Sequence, residues 1–188
     1  VRIYEHTKAT SVDKDGRGVA VVTPLGTIRC AKAVLGTNAD KPLLKRISQY
    51  MVPVYDYCLV TEPLSSEQLD RIGWANRQGL SDMTNQFHYY RLSADNRIVF
   101  GEGGAIPYDG SPSTGNNQPM IEKMQRSLLV PFPQLEGVRF THNWGGTIGA
   151  TKDGMPSVGT LGDSDNIFHA VAFNGEGVVM AQLAGRIA

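Results

Sequence analysis

Apolar and polar positions alternate in short stretches along the first thirty residues. In Val1 to Thr7, Ile3 and Glu5 alternate with Tyr4 and His6; Gly18 to Thr23 is β-branched at Val19, Val21 and Val22; Gly26 to Cys30 resumes after Pro24-Leu25. Alternation of period two, punctuated at Asp15-Gly16 and Leu25-Gly26, predicts strands joined by tight turns. Lys32 to Thr37 is a nearly continuous apolar run ending in glycine and polar residues. That pattern predicts a strand buried on both faces, as in a parallel sheet. From Asp40 to Tyr50 the spacing turns helical, with Leu43, Leu44 and Ile47 on one side.

Val52 to Glu62 reads as a long strand, and Ser65 to Ile72 as a helix opened by a capping box of Ser65 and Gln68. Phe87 to Leu92 and Arg97 to Gly101 form a hairpin across Ser93-Ala94-Asp95-Asn96, where Asp and Asn suit turn geometry. Residues 103–119, rich in Gly, Pro, Ser and Asn, read as a loop. Gln118 to Val130 is an amphipathic helix (Met120, Ile121, Met124, Leu128) stopped by Pro131 and Pro133. Val138 to Trp144, Ser157 to Thr160 and Ile167 to Phe173 read as strands, and the final residues as a helix. This order predicts an α/β layer at both ends of the chain and an α+β unit, an antiparallel sheet with helices, between them. The expected division is 1–48, 49–139 and 140–188, a discontinuous two-domain arrangement.

At 188 residues and 41% hydrophobic content the chain buries a real core. Eighteen acidic residues balance eighteen basic ones, and the basic ones are scattered, which argues against nucleic acid or an anionic membrane as partner. No apolar run approaches membrane-spanning length and no signal peptide is visible, so the expectation is a soluble cytoplasmic protein. Cys30 and Cys58 sit in apolar strand contexts without metal-ligand spacing and read as free thiols; no metal site is expected.

Four places carry candidate chemistry. The first is Gly175-Glu176-Gly177, between an apolar strand and a helix of small residues; such a turn aims unpaired N–H groups at an electron-rich ligand, or simply lets the chain bend. The second is the glycine-dense stretch Asn143 to Pro156, suited to close approach of a flat ligand or to a bulged loop with Trp144 as core filler. The third is Leu35-Gly36-Thr37-Asn38-Ala39, at the end of the parallel-type strand, where open α/β sheets bind ligands or merely exit into a loop. The fourth is the aromatic set Tyr55, Tyr57, His88, Tyr89 and Tyr90 with Arg91. Tyr89 and Arg91 share one strand face and His88 and Tyr90 the other; a cavity wall and ordinary core are both compatible with it. No nucleophile elbow and no His-Glu-x-x-His appears, which leaves a cofactor as the carrier of any chemistry.

Trp144-Gly145-Gly146, Thr151-Lys152-Asp153-Gly154-Met155-Pro156, the strand to Phe173 and the Gly175-Glu176-Gly177 turn together resemble the C-terminal part of the FAD-dependent D-amino acid oxidase superfamily. That group includes glycine and sarcosine oxidases, D-amino acid dehydrogenases and γ-glutamylputrescine oxidoreductase. Tyr4-Glu5-His6-Thr7, Ala33 to Ala39 and Tyr89-Tyr90-Arg91 with Asp95-Asn96-Arg97 fall in the family's order. The resemblance implies a partial FAD-binding layer at 1–48 and 140–188 and a substrate domain at 49–139. It implies a flavoenzyme that oxidises a C–N bond of an amine or amino acid by hydride transfer to FAD.

By the same resemblance Phe173, Asn174, Gly175, Gly177 and Val178 contact the flavin, Ala9, Gly36, Thr37 and Asn38 the ADP part, and Trp144 and Gly146 the ring's surroundings. Tyr57, Arg91, Ile148 and Glu176 fall on the substrate side; no catalytic residue is assigned. Three departures shape the expectation. The family's strand–GxGxxG–helix is absent, so this chain by itself is expected to bind FAD weakly or not at all, to be inactive alone, and to self-associate through the face that segment would cover. Ile148 stands where relatives that take α-amino acids have an arginine, which favours a γ-glutamylputrescine-like amine as the small-molecule partner. Glu176 replaces a common histidine, either to receive a cationic amine or to complement a helix N-terminus. The rival reading is a non-catalytic module binding a small molecule or peptide through its aromatic sheet.

Overall fold

The computed structural model describes residues 1–39, 43, 49–85, 87–107, 117–161 and 164–187, with the backbone alone at 103–107 and 187. It divides into two compact units, Val1–Pro53 with Ile148–Ala188, and Val54–Thr147.

The first unit opens with an antiparallel meander of β1 (Ser11–Asp15), β2 (Gly18–Thr23) and β3 (Gly26–Cys30). Its turns fall at the expected dipeptides because Gly16 and Gly26 take the positive φ those turns need, 60° and 140°. The expected strand over Val1 to Thr7 does not form: these residues are irregular, and Val1, Ile3 and Tyr4 are exposed. Alternation without a pairing partner does not make a strand.

A second sheet in this unit has the order β10-β11-β4, from β4 (Ala33–Leu35), β10 (Ser157–Leu161) and β11 (Ser164–Val171). β11 and β4 run parallel, with Phe168 opposite Val34, as the apolar run near Val34 predicts. Burial on both faces is not found, because β4 is an edge strand and Val34 is 70% exposed. Val12, Val19, Leu35 and Ile167 form a small core in this unit, and the Asn166 amide donates to Arg17 O at 2.7 Å. The final helix, α3 (Gly177–Ile187), follows β11. The helix expected over Asp40 to Tyr50 lies largely outside the described residues.

The second unit is built on a five-stranded sheet of order β6-β7-β8-β5-β9: β5 (Met51–Thr61), β6 (Leu80–Ser81), β7 (His88–Leu92), β8 (Ile98–Pro107) and β9 (Phe140–Thr151). Strands β5 and β9 continue along the chain into the first unit. β8 pairs antiparallel with β7 and β5, and it extends to Pro107, beyond the loop start expected at residue 103; the rest of that loop, 108–116, is outside the described residues.

β9 also outruns the strand expected to end at Trp144. It carries Gly145, Gly146 and Gly149 within a continuous strand, so the glycine-dense stretch is neither a bulged loop nor a turn before Thr151.

α1 (Ser66–Ile72) begins with the expected capping box, Ser65 N donating to Gln68 Oε1 at 2.9 Å and Gln68 N to Ser65 Oγ at 3.2 Å. α2 (Gln118–Leu129) is capped by Asn117, whose Oδ1 accepts from Met120 N. Its apolar stripe, Met120, Ile121, Met124 and Leu128, packs with Tyr55, Tyr57, Leu59, Tyr90, Phe100 and Phe132 in the unit's core. Removal of these side chains from water drives the packing of α2 on that face of the sheet.

Candidate functional site

β4 and β11 are parallel neighbours, so their carboxyl ends emerge on the same edge. The exits are Gly36-Thr37-Asn38-Ala39 after β4 and Ala172 to Glu176 after β11. Left-handed backbone is concentrated there: φ is 48° at Asn38, 58° at Ala172, 54° at Asn174 and 92° at Gly175. Only glycine takes such values without cost, so Ala172 and Asn174 hold strain of about 1 kcal/mol each.

The turn is tied down by its neighbours. Asn174 N donates to Gly149 O at 3.2 Å, Thr151 N donates to Asn174 Oδ1 at 2.8 Å, and Asn174 Nδ2 donates to Ala172 O at 3.0 Å. Ala172, Val171, Met51 and Ala39 form a buried cluster beneath it. A Cβ on Gly149 would lie 2.4 Å from Met51 Sδ and 3.0 Å from the Ala172 Cα, so a side chain there would push the turn away. Close approach, not turn geometry, explains this glycine.

These exits enclose a cleft of about 310 Å³. The turn contributes Phe173, Asn174 and Gly175, and α3 contributes Gly177 and Val178. Gly36 and Asn38 line it from the β4 exit, Ile148 from β9, and Ala170 from β11. Helix α3 starts at the rim. The Glu176 carbonyl accepts from Met180 N at 3.2 Å, and the N–H groups of the first turn have no partner within the helix, so they offer positive potential to an electron-rich group. On β11, next to Ala170, His169 has its Nε2 3.0 Å from Ser157 Oγ, and burial holds its imidazole below the usual range.

Eight of the residues named from the sequence thus share one cleft: Gly36, Asn38, Ile148, Phe173, Asn174, Gly175, Gly177 and Val178. Thr37 is half-buried beside it and Glu176 is exposed; neither lines it. Ala9 is half-buried in the irregular run before β1. Trp144, 46% exposed, and Gly146 lie on the part of β9 that belongs to the second unit.

In the second unit Tyr57 and Arg91 lie apart. Tyr57 is 7% exposed within the core, its hydroxyl 3.5 Å from Asn117 Nδ2, whereas Arg91 is exposed. Between the two core tyrosines, on the face opposite α2, is a residue that the sequence reading passed over. Asp56 is half-buried and accepts the Tyr89 hydroxyl on Oδ2 at 2.7 Å; Cys58 Sγ is 3.4 Å from the same hydroxyl. Burial pushes the Asp56 carboxyl and the Cys58 thiol above their usual ranges and the Tyr89 phenol higher still. Part of the signal was in the sequence: period two puts Asp56 and Cys58 on one face once Tyr55 and Tyr57 are assigned to the other, and Tyr89 reaches them from β7 across Gly101 of the intervening β8.

On the core face His88 bridges two carboxylates, with Nδ1 bonded to Asp82 Oδ2 and Nε2 3.9 Å from Glu102. Glu102, 3% exposed, is paired with Lys123 of α2. Burial, with Asp82 and Glu102 nearby, pushes the adjacent Tyr90 phenol up to about 12. Among the described residues no cluster of His, Cys, Asp and Glu is arranged to hold a metal, and no helix is long and apolar enough to cross a membrane.

The chain is 31% identical over 192 residues to the probable oxidoreductase OrdL of Haemophilus influenzae, covering 100% of this chain and 42% of that protein. It is 31% identical to the gamma-glutamylputrescine oxidoreductase of Escherichia coli, covering 99% of this chain and 42% of the relative. The chain therefore spans less than half the length of these curated relatives.

Two solved structures share the fold. L-proline dehydrogenase from P. horikoshii has a TM-score of 0.77 at 18% identity, covering 96% of this chain and 48% of that one. Glycine oxidase from Geobacillus kaustophilus has a TM-score of 0.75 at 19% identity, covering 97% and 46%. The family model described as DAO, FAD dependent oxidoreductase, matches residues 1–188. With that family model matching this chain from residue 1 to residue 188, the chain belongs to the DAO family of FAD dependent oxidoreductases.

Proposed function

We propose that the complete protein oxidises a C–N bond of an amine, with a γ-glutamylputrescine-like amine preferred over an α-amino acid. The observation that carries this reading is the single cleft where two parallel strand ends meet the start of α3. Its residues fit FAD: Gly36 lines it with open space where a Cβ would project, and Gly175 holds a φ of 92° at the helix entry. When bound, FAD supplies the acceptor for the hydride on the carbon next to the amine nitrogen.

This chain's own part is to hold and orient. Phe173 to Gly175 and the first N–H groups of α3 receive the end of the ring on which negative charge develops, and Gly36 with Asn38 receives the nucleotide part. Ile148 gives the cleft an aliphatic wall where an arginine would be needed to clamp a carboxylate, which supports an amine substrate. The reading is tested by flavin uptake. The full-length native protein carrying this chain is expected to show the visible flavin band, and Gly175→Ala, strained at its φ, to weaken FAD affinity about tenfold. A wild-type protein that takes up no FAD when refolded with it would overturn the proposal.

A further inference from the structure

We propose that Thr151 is the positioning residue of the cleft: by holding the Asn174 side chain it fixes the left-handed turn after β11, so FAD affinity depends on a hydroxyl that does not itself line the cleft. The inference rests on the flavin reading of that cleft and adds what keeps it in binding shape.

The first ground is what the turn needs. Ala172, Asn174 and Gly175 all take left-handed φ, and only Gly175 does so without cost. Backbone of this kind persists where neighbouring groups over-determine it. Here those groups converge on Asn174. Its Oδ1 accepts from Thr151 N at 2.8 Å and lies 3.2 Å from the Thr151 hydroxyl, its Nδ2 donates to Ala172 O at 3.0 Å, and its backbone N–H donates to Gly149 O at 3.2 Å. Both ends of the amide are therefore engaged by protein.

The second ground is how Thr151 is itself held. Its one hydroxyl proton has two acceptors in reach, Met155 O at 2.9 Å and Asn174 Oδ1 at 3.2 Å. Gly154 N donates to Thr151 O at 3.3 Å, and Met155 N donates to Asp153 Oδ1 at 3.1 Å, so residues 151–155 close on themselves as a turn. The hydroxyl joins that turn to the one that enters α3. Asn174 lines the cleft and Thr151 is not among its lining residues. A side chain placed this way acts on a ligand only through the share of molecules whose turn is in binding shape.

The test is the FAD dissociation constant of the full-length protein and of two variants. Thr151→Val keeps the β-branched shape and the backbone N–H to Asn174 but loses the hydroxyl, whereas Thr151→Ser keeps the hydroxyl. Thr151→Val is expected to weaken FAD binding about three- to tenfold, and Thr151→Ser to stay within about twofold of wild type. Equal affinity in all three proteins, the result of a merely structural Thr151, overturns the proposal, as does a serine variant as weak as the valine one. Wild type alone supplies a second measurement should the valine variant fold poorly. Coupling is reciprocal, so FAD must tighten the contacts that tighten FAD: exchange of the Thr151 and Asn174 amide hydrogens is expected to slow at least about threefold on saturation with FAD. Unchanged exchange at both overturns the proposal. Either failure in a protein that still binds FAD leaves the flavin cleft standing, whereas a wild type that binds no FAD overturns both readings.

Discussion

Single residues in this chain are fixed by what approaches them. Gly149 is held by Met51 and the Ala172 backbone, and the Ala172 Cα has no flexible end to swing aside. Gly149→Ala is expected to destabilise the protein by about 1–3 kcal/mol, read as a lowered urea midpoint with unchanged slope. Asp56 is the opposite case, a residue kept at a cost. Burial raises its folded-state pKa, so its ionisation opposes folding: the penalty is absent below the ordinary carboxylate range and grows as pH rises through it. Asp56→Asn is therefore expected to raise the urea midpoint at neutral pH and not at about pH 3. An equal shift at both pH values would remove charge as the cause. Glu176, exposed at the entry of α3, separates two roles by kinetics: if it receives a cationic amine, Glu176→Gln raises the amine KM, and if it only complements the helix end, KM stays unchanged while stability falls.

At the scale of elements, local chemistry made some of the structure readable and hid the rest. The Ser65–Gln68 box, the stop at Pro131 after α2, and the turns at Gly16 and Gly26 act within a few residues, and all stand in the fold. Ser65→Ala is expected to cost about 1 kcal/mol, measured by denaturation, because it strips the cap from Gln68 N. β9 was underread because Gly145, Gly146 and Gly149 lower β propensity, while the strand is held by non-local pairing. Val1 to Thr7 erred the other way, alternating without a partner strand among the described residues. In the cleft, the turn at Gly175 was legible because its glycine requirement is local. Asp56 was not, because one carboxylate on a strand looks like a solvated face until Tyr89, thirty-three residues on, is brought to it.

For the whole molecule, chemistry is distributed over two units. The first gathers Gly36, Asn38, Ile148 and the Phe173–Val178 turn around one cleft; the second presents Asp56 and Tyr89 on one sheet face. Family membership fits the proposed role of the cleft, where strand ends and a helix N-terminus converge. In the proposed reading Ile148 is where this chain adds its own preference, an aliphatic side chain in place of a carboxylate clamp. The most direct measurement is anaerobic titration of the FAD-loaded, full-length protein with a diamine such as 1,4-diaminobutane and, in parallel, with glycine. Bleaching of the flavin band by the diamine at concentrations at least about tenfold below those needed for glycine is the predicted result. A flavin reduced by glycine more readily than by the diamine, or by neither, would contradict the account.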